Sequence, residues 1–339
     1  MGALFIGGNR SLVLTGALMS FNHGGKWLGG LLVLAGLAGC GGGQQDAPRA
    51  EQATPKPVAA DPQFLADNQV WRDERLAELR KPDGWTTLVG LHWLELKAHY
   101  VGSGSTSGIR LAVGPEKMGM VQVVGDQVWF IPEHGVALTA DGQPVKGKLR
   151  FFSDRDETPT VIGFDDGKGL LTLIQRGDRR ALRVRHADAA THTGFTGLKY
   201  WPADPSWRIQ ARFVPHDVGK TMPVVDITGI STEQPNAGSI EFERNGQTYR
   251  LEAIGEPGRE LFVVFADRTS GHASYAAGRF LDVDAPDAQG HVVLDFNRAY
   301  NPPCVFTPFA TCPLPPPENR LDLPVEAGEQ DYHRPDRSS

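Results

Sequence analysis

The chain has 339 residues, 40% hydrophobic and 22% charged, a globular composition that excludes global disorder and collagen-like structure. Thirty-four basic and 40 acidic residues give a formal net charge of −6, so no basic excess is available to neutralise nucleic-acid phosphates. Forty glycines and 25 prolines suit a turn-rich β protein better than a helical bundle.

Residues 1–39 read as an export signal. No acidic residue occurs before Asp46, and Lys26 precedes an apolar run from Trp27 to Gly39. That run is too short for a membrane span, which needs about 20 residues. A basic start, a short apolar stretch and small residues before the cut describe a secretory signal. The segment Leu37-Ala38-Gly39-Cys40 resembles the lipobox of bacterial lipoproteins. That resemblance implies lipidation at Cys40, which becomes the mature N-terminus and anchors the chain to a membrane. Gly41 after the cysteine points, by analogy with enterobacterial sorting, to the outer membrane, facing the periplasm. A start at Met19 would leave a signal of conventional length. Residues 40–60, rich in Gly, Gln and Pro, read as a flexible tether.

Asp61-Pro62 is a helix-start signal, with the aspartate as cap and proline at the first helical position. Phe64, Leu65, Trp71, Leu76 and Leu79 recur at roughly helical spacing, and Pro82-Asp83-Gly84 ends the element. After Gly84 the period switches to that of strands, starting with Trp85–Leu91, Ile109–Val113 and Val121–Val124. Gly125-Asp126, Asp141-Gly142 and Asn245-Gly246 are hairpin turns between β-rich runs. Further strands are expected at 149–152, 160–164, 170–175, 181–185, 207–214, 261–265 and 291–296. The arginines at 179, 180, 183 and 185 alternate along one of them and read as a solvated face. The expectation is a mainly β fold, an antiparallel barrel or two packed sheets with one N-terminal helix. It forms a single domain over 61–329, followed by a disordered tail at 330–339.

Familiar catalytic patterns are absent from the sequence. No serine has glycines at both −2 and +2, and no phosphate-loop or His-Glu-x-x-His zinc motif occurs. Gly102-Ser103-Gly104 followed by Gly108 has the wrong spacing for a dinucleotide fingerprint. Nothing demands a cofactor, and no metal site is expected. With Cys40 lipidated, Cys304 and Cys312 remain, and in an oxidising compartment a disulfide is their simplest fate. The alternative is a redox-active or metal-binding thiol pair.

Polar residues concentrate between Asp267 and Asn319. The run Asp295-Phe296-Asn297, then Tyr300-Asn301-Pro302, Cys304, Cys312-Pro313, Pro315-Pro316-Pro317 and Asn319 resembles the domain of unknown function 1684 family. Trp71, Arg75, Gly84-Trp85, Leu88, Gly90-Leu91, His92-Trp93-Leu94 and Gly102 resemble its N-terminal signature. The family carries no activity to transfer. From the residues themselves, Tyr275, Arg279, Asp295 and Asn297, joined by His92, form a candidate ligand site. Arg279 would hold an anionic group, Asp295 would orient it or accept a proton, and His92 would be base or donor. Asp267, His272 and Asp295 offer a carboxylate–imidazole alternative, while an Arg–Asp pair of this kind also makes a buried structural clasp. Two functional readings follow: an envelope module binding a small ligand or partner, or a hydrolase with its site in the C-terminal block.

Overall fold

The computed structural model describes residues 61–334. The signal, Cys40 and the tether lie outside the described residues, as do the last five. Asp61 caps the helix Pro62–Leu79, its carboxylate accepting from the Gln63 amide at 3.0 Å. Phe64 and Leu79 are buried, and Trp71 and Leu76 pack beside Leu79, but Leu65 of the expected stripe is 44% exposed. The buried stripe therefore includes Asn68 instead.

Two sheets follow. The five-stranded sheet has the order Ile109–Arg110, Ala98–Gly102, Gly119–Val124, Gln127–Pro132, Leu149–Arg150. The six-stranded sheet runs Leu88–Trp93, Arg179–His186, Gly169–Arg176, Val161–Phe164, Thr139–Ala140, Gln143–Pro144. Between them lies a hydrophobic core that includes Val121, Phe130, Phe151, Ile162, Leu171 and Leu182. The pairing is antiparallel except where Ala98–Gly102 meets Ile109–Arg110. That parallel contact holds two residue pairs, so the run expected to reach Val113 stops at Arg110.

The second half forms a seven-stranded antiparallel sheet. Its order is Arg279–Val283, Leu261–Phe265, Gln247–Ile254, Ser231–Arg244, Arg208–Pro215, His291–Asp295, with Thr221–Val225 added to the long strand. Both faces are covered, and the strand period of two sorts the side chains. Val263, Phe265, Leu281 and Val283 enter one core, closed by the C-terminal segment through Leu321, Leu323, Val325 and Ala327. Val264 and Phe280 enter another, shared with helix residue Leu79, Leu88, Tyr300 and the Cys304–Cys312 loop. Asn245-Gly246 and Asp141-Gly142 turn their hairpins with both residues at positive φ, while Gly125-Asp126 uses positive φ at the glycine alone.

The fold is thus mainly β with packed sheets, one of them curled like half a barrel, and one helix at the front. Three expectations are corrected in detail. Arg183 is not on a solvated face: it retains 6% exposure and stacks on Trp85. Trp85–Thr87 is a 3₁₀ turn, and the strand begins at Leu88. The tail begins packed, since the Gln330 amide donates to the Lys199 carbonyl, Tyr332 joins a core and Arg334 is buried.

Candidate functional site

The six-stranded and five-stranded sheets leave a seam where edge strand Leu88–Trp93 faces edge strand Ile109–Arg110. A cleft of ≈ 390 Å³ opens there, lined by Gly90, His92, Ser103, Arg110, Leu111 and Phe309, among others. Phe309 arrives from the Cys304–Cys312 loop. Fully buried Thr307 fixes that arrival by donating to the Leu88 carbonyl at 3.0 Å while accepting from the Phe309 amide.

His92 sits opposite Leu182 near the end of its strand. A Cβ at Gly90 would lie 2.9 Å from His92 Nε2, so the glycine makes room for the imidazole. Burial lowers the His92 pKa from 6.5, which keeps the ring neutral at pH 7. Ser103 Oγ donates to the Gly114 carbonyl at 2.7 Å, and Arg110 supplies a largely exposed positive charge. The cleft therefore offers a neutral imidazole, a hydroxyl and a guanidinium above an apolar floor. Ser103, Arg110 and Phe309 were not legible as site residues, because two unpaired sheet edges bring them together.

The other expected site residues lie elsewhere, in the C-terminal half of the chain. Arg279 is fully buried. Its Nη1 donates to the Ala327 and Glu329 carbonyls, and its Nη2 to the Val325 carbonyl at 2.7 Å and to Asp267 Oδ2 at 3.3 Å. Asp267 also accepts from the Val325 amide at 2.6 Å and from Thr269 Oγ1 at 2.9 Å. The ensemble clasps the C-terminal segment against the sheet, and Trp201 and Phe265 pack on the guanidinium at 5.1 and 5.3 Å. A second clasp lies next to it. Arg75 on the helix pairs with fully buried Glu329 at 2.9 Å, and Glu329 Oε2 accepts from the Asn301 amide at 2.7 Å. Gly328 makes the turn between these contacts, at φ 80°, where a Cβ would meet the Ala299 carbonyl at 2.3 Å.

Asp295 and Asn297 do meet, as their spacing implies, but they serve the backbone. Asp295 caps the 3₁₀ turn Phe296–Arg298 through the Asn297 amide. The Asn297 side chain bonds both the amide and the carbonyl of Asp204, at 2.9 Å each. It is an Asx clip holding one loop.

The expected disulfide is not formed. Cys304 and Cys312 are buried free thiols, and the turn Pro303–Val305 aims the Cys304 amide at Cys312 Sγ, 3.1 Å away. Burial raises the Cys312 thiol well above its ordinary pKa. The hydrogen bond from Cys312 lowers that of Cys304, which Tyr275 also contacts. Tyr275 is therefore a neighbour of the thiols rather than of Asp295. Among the described residues, no group of three His, Cys, Asp or Glu side chains gathers as a metal site. No helix among them is long and apolar enough to cross a membrane.

Residues 193–330 match the family described as Protein of unknown function (DUF1684). The chain belongs to this family. The DUF1684 match holds both clasps except Arg75, the thiol pair and Phe309. It does not reach the N-terminal residues that resemble the family, His92 included. An uncharacterized Haloarcula marismortui protein solved by solution NMR is 32% identical, covering 41% of this chain and 78% of its own, with a TM-score of 0.35. A search of curated proteins gives no match.

Proposed function

We propose that this DUF1684 protein is a binding module, held by lipid at Cys40 on the periplasmic side of the outer membrane, that takes a small ligand in the His92 cleft. The observation that carries the reading is the cleft itself. A neutral imidazole and the Arg110 guanidinium face an opening rimmed by two unpaired sheet edges and Phe309. Small-ligand sites characteristically combine an apolar lining with a few convergent polar groups. The sequence supports the anchor, through Lys26, the apolar run and Leu37-Ala38-Gly39-Cys40.

The hydrolase alternative gains nothing from the C-terminal block. Asp295 is spent as a cap, Asp267 on Arg279, and Arg279 on carbonyls. Native mass spectrometry of the purified protein tests the binding reading: a co-purified small molecule should be present in the parent and lost in His92→Ala and Arg110→Ala. A ligand that persists in both variants, or a parent that never carries one from any cell fraction, would sink it. The anchor is tested separately. Cys40→Ala should abolish incorporation of a fatty-acid analogue, and unchanged labelling would remove the lipid from the proposal.

A further inference from the structure

On strand Arg179–His186, Leu182 and Val184 face the core between the two N-terminal sheets, so the alternating Arg183 and Arg185 face the other way. Both guanidinium groups stack on Trp85, at 5.1 and 5.4 Å from its ring centre. Arg183 is more than nine-tenths buried, yet its Nε and Nη2 have no hydrogen-bond partner, and neither has Arg185 Nε.

The identity of those two atoms matters. In a guanidinium, the Nε–H and one Nη2–H bond point in parallel along a single edge. That edge grips both oxygens of a carboxylate or phosphoryl group at once. The unsatisfied pair on Arg183 is thus one complete bidentate fork. Its surroundings are cationic. Arg185 and Arg176 both oppose its charge, and nearby Asp154 already bonds Arg176 Nη1 at 2.7 Å. Burial, reinforced by these like charges, pushes the Arg183 pKa down to about 9. A buried cation with a free fork and like-charged neighbours is what an anion would relieve. Trp85 and Arg185 are half-buried, so the rim reaches solvent.

We propose that Arg183, with Arg185 and Trp85, forms a binding site for a small oxoanion, a phosphoryl or carboxylate group held side-on by the Nε and Nη2 edge of Arg183. This site is separate from the His92 cleft: Arg183 is in register with Leu91 and His92 with Leu182, on opposite faces of the paired strands. It stands whether or not the cleft binds anything.

The test titrates inorganic phosphate, and in a parallel arm acetate, into the intact protein at constant ionic strength set with chloride. Melting temperature and tryptophan fluorescence are followed. A saturable rise in melting temperature is expected with at least one anion, and the arm that responds tells phosphoryl from carboxylate. Arg183→Met should abolish the response while melting at or above the parent in chloride alone. Arg183→Lys keeps the charge without the fork and should weaken binding roughly tenfold or more. Arg212→Gln, an exposed arginine on another sheet, controls for loss of charge. The proposal is overturned if neither anion gives a saturable response in the parent, or if Arg183→Lys binds as tightly as the parent.

Discussion

Arg279 and Arg183 are both buried, and their surroundings treat them in opposite ways. Arg279, in the C-terminal half, gives its Nη donors to three carbonyls and a carboxylate, leaving only its Nε without a partner, and in doing so fastens residues 325–329. Arg183, in the N-terminal half, stacks on a tryptophan and leaves one whole edge of its guanidinium without a partner. A cation taken out of water needs compensation, so paired burial marks structure and unpaired burial marks a place for something else. Depth of burial alone does not separate the two. The hydrogen-bond inventory does.

The sharpest way to break this comparison is to remove each arginine. Arg279→Met strands Asp267 in the core and should cost about 3–5 kcal/mol, read from urea unfolding. A loss below about 1 kcal/mol would mean that the clasp is not structural. Next in size, Glu329→Gln breaks the pair with Arg75 and should cost about 3 kcal/mol. Arg75→Met should cost a similar amount, and the double variant less than the sum of the two. Arg183→Met leaves no acid newly stranded, so in ligand-free protein its stability should change by less than about 1 kcal/mol, or rise.

The thiol pair sharpens the comparison from another side. Cys304 and Cys312 pack in the core that joins the helix to the seven-stranded sheet, so alkylation of reduced protein should be slow when folded and fast in denaturant. Rapid labelling of folded protein would show that the core holding these thiols opens readily. The smallest effect concerns His92. Its folded pKa lies below the ordinary 6.5, so its contribution to stability is complete above 6.5 and is lost as the pH falls through the folded value. Imidazole NMR titration should place the His92 transition below 6.5, and a transition above that value would contradict its burial.

Much of the secondary structure was legible because its signals are local. Asp61-Pro62 fixed the helix start, and Asn245-Gly246 and Asp141-Gly142 located hairpins that depend on two residues at positive φ. The strand Leu261–Phe265 fell where its apolar run predicts. The candidate site was less legible. Tyr275, Arg279, Asp295 and Asn297 stood out because polar side chains cluster there, but polar clusters serve backbone carbonyls as readily as ligands. Arg183 looked like one more exposed strand arginine. Only tertiary packing, with Trp85 stacked on it, removed it from water.

The sequence by itself carries the proposal of an export signal and lipobox, and it determined the β class, the front helix, the turns and the resemblance at the C-terminal block. Each of these rests on residues close together along the chain, where capping, φ preference and apolar period act directly. Tertiary structure alone decided which polar groups are spent. It took the carbonyls of Val325, Ala327 and Glu329 to Arg279, brought Phe309 and Arg110 to His92, and laid Arg183 on Trp85 with its Nε and Nη2 unpartnered. Whether a buried donor has a partner depends on groups tens or hundreds of residues away, and no local pattern encodes that pairing.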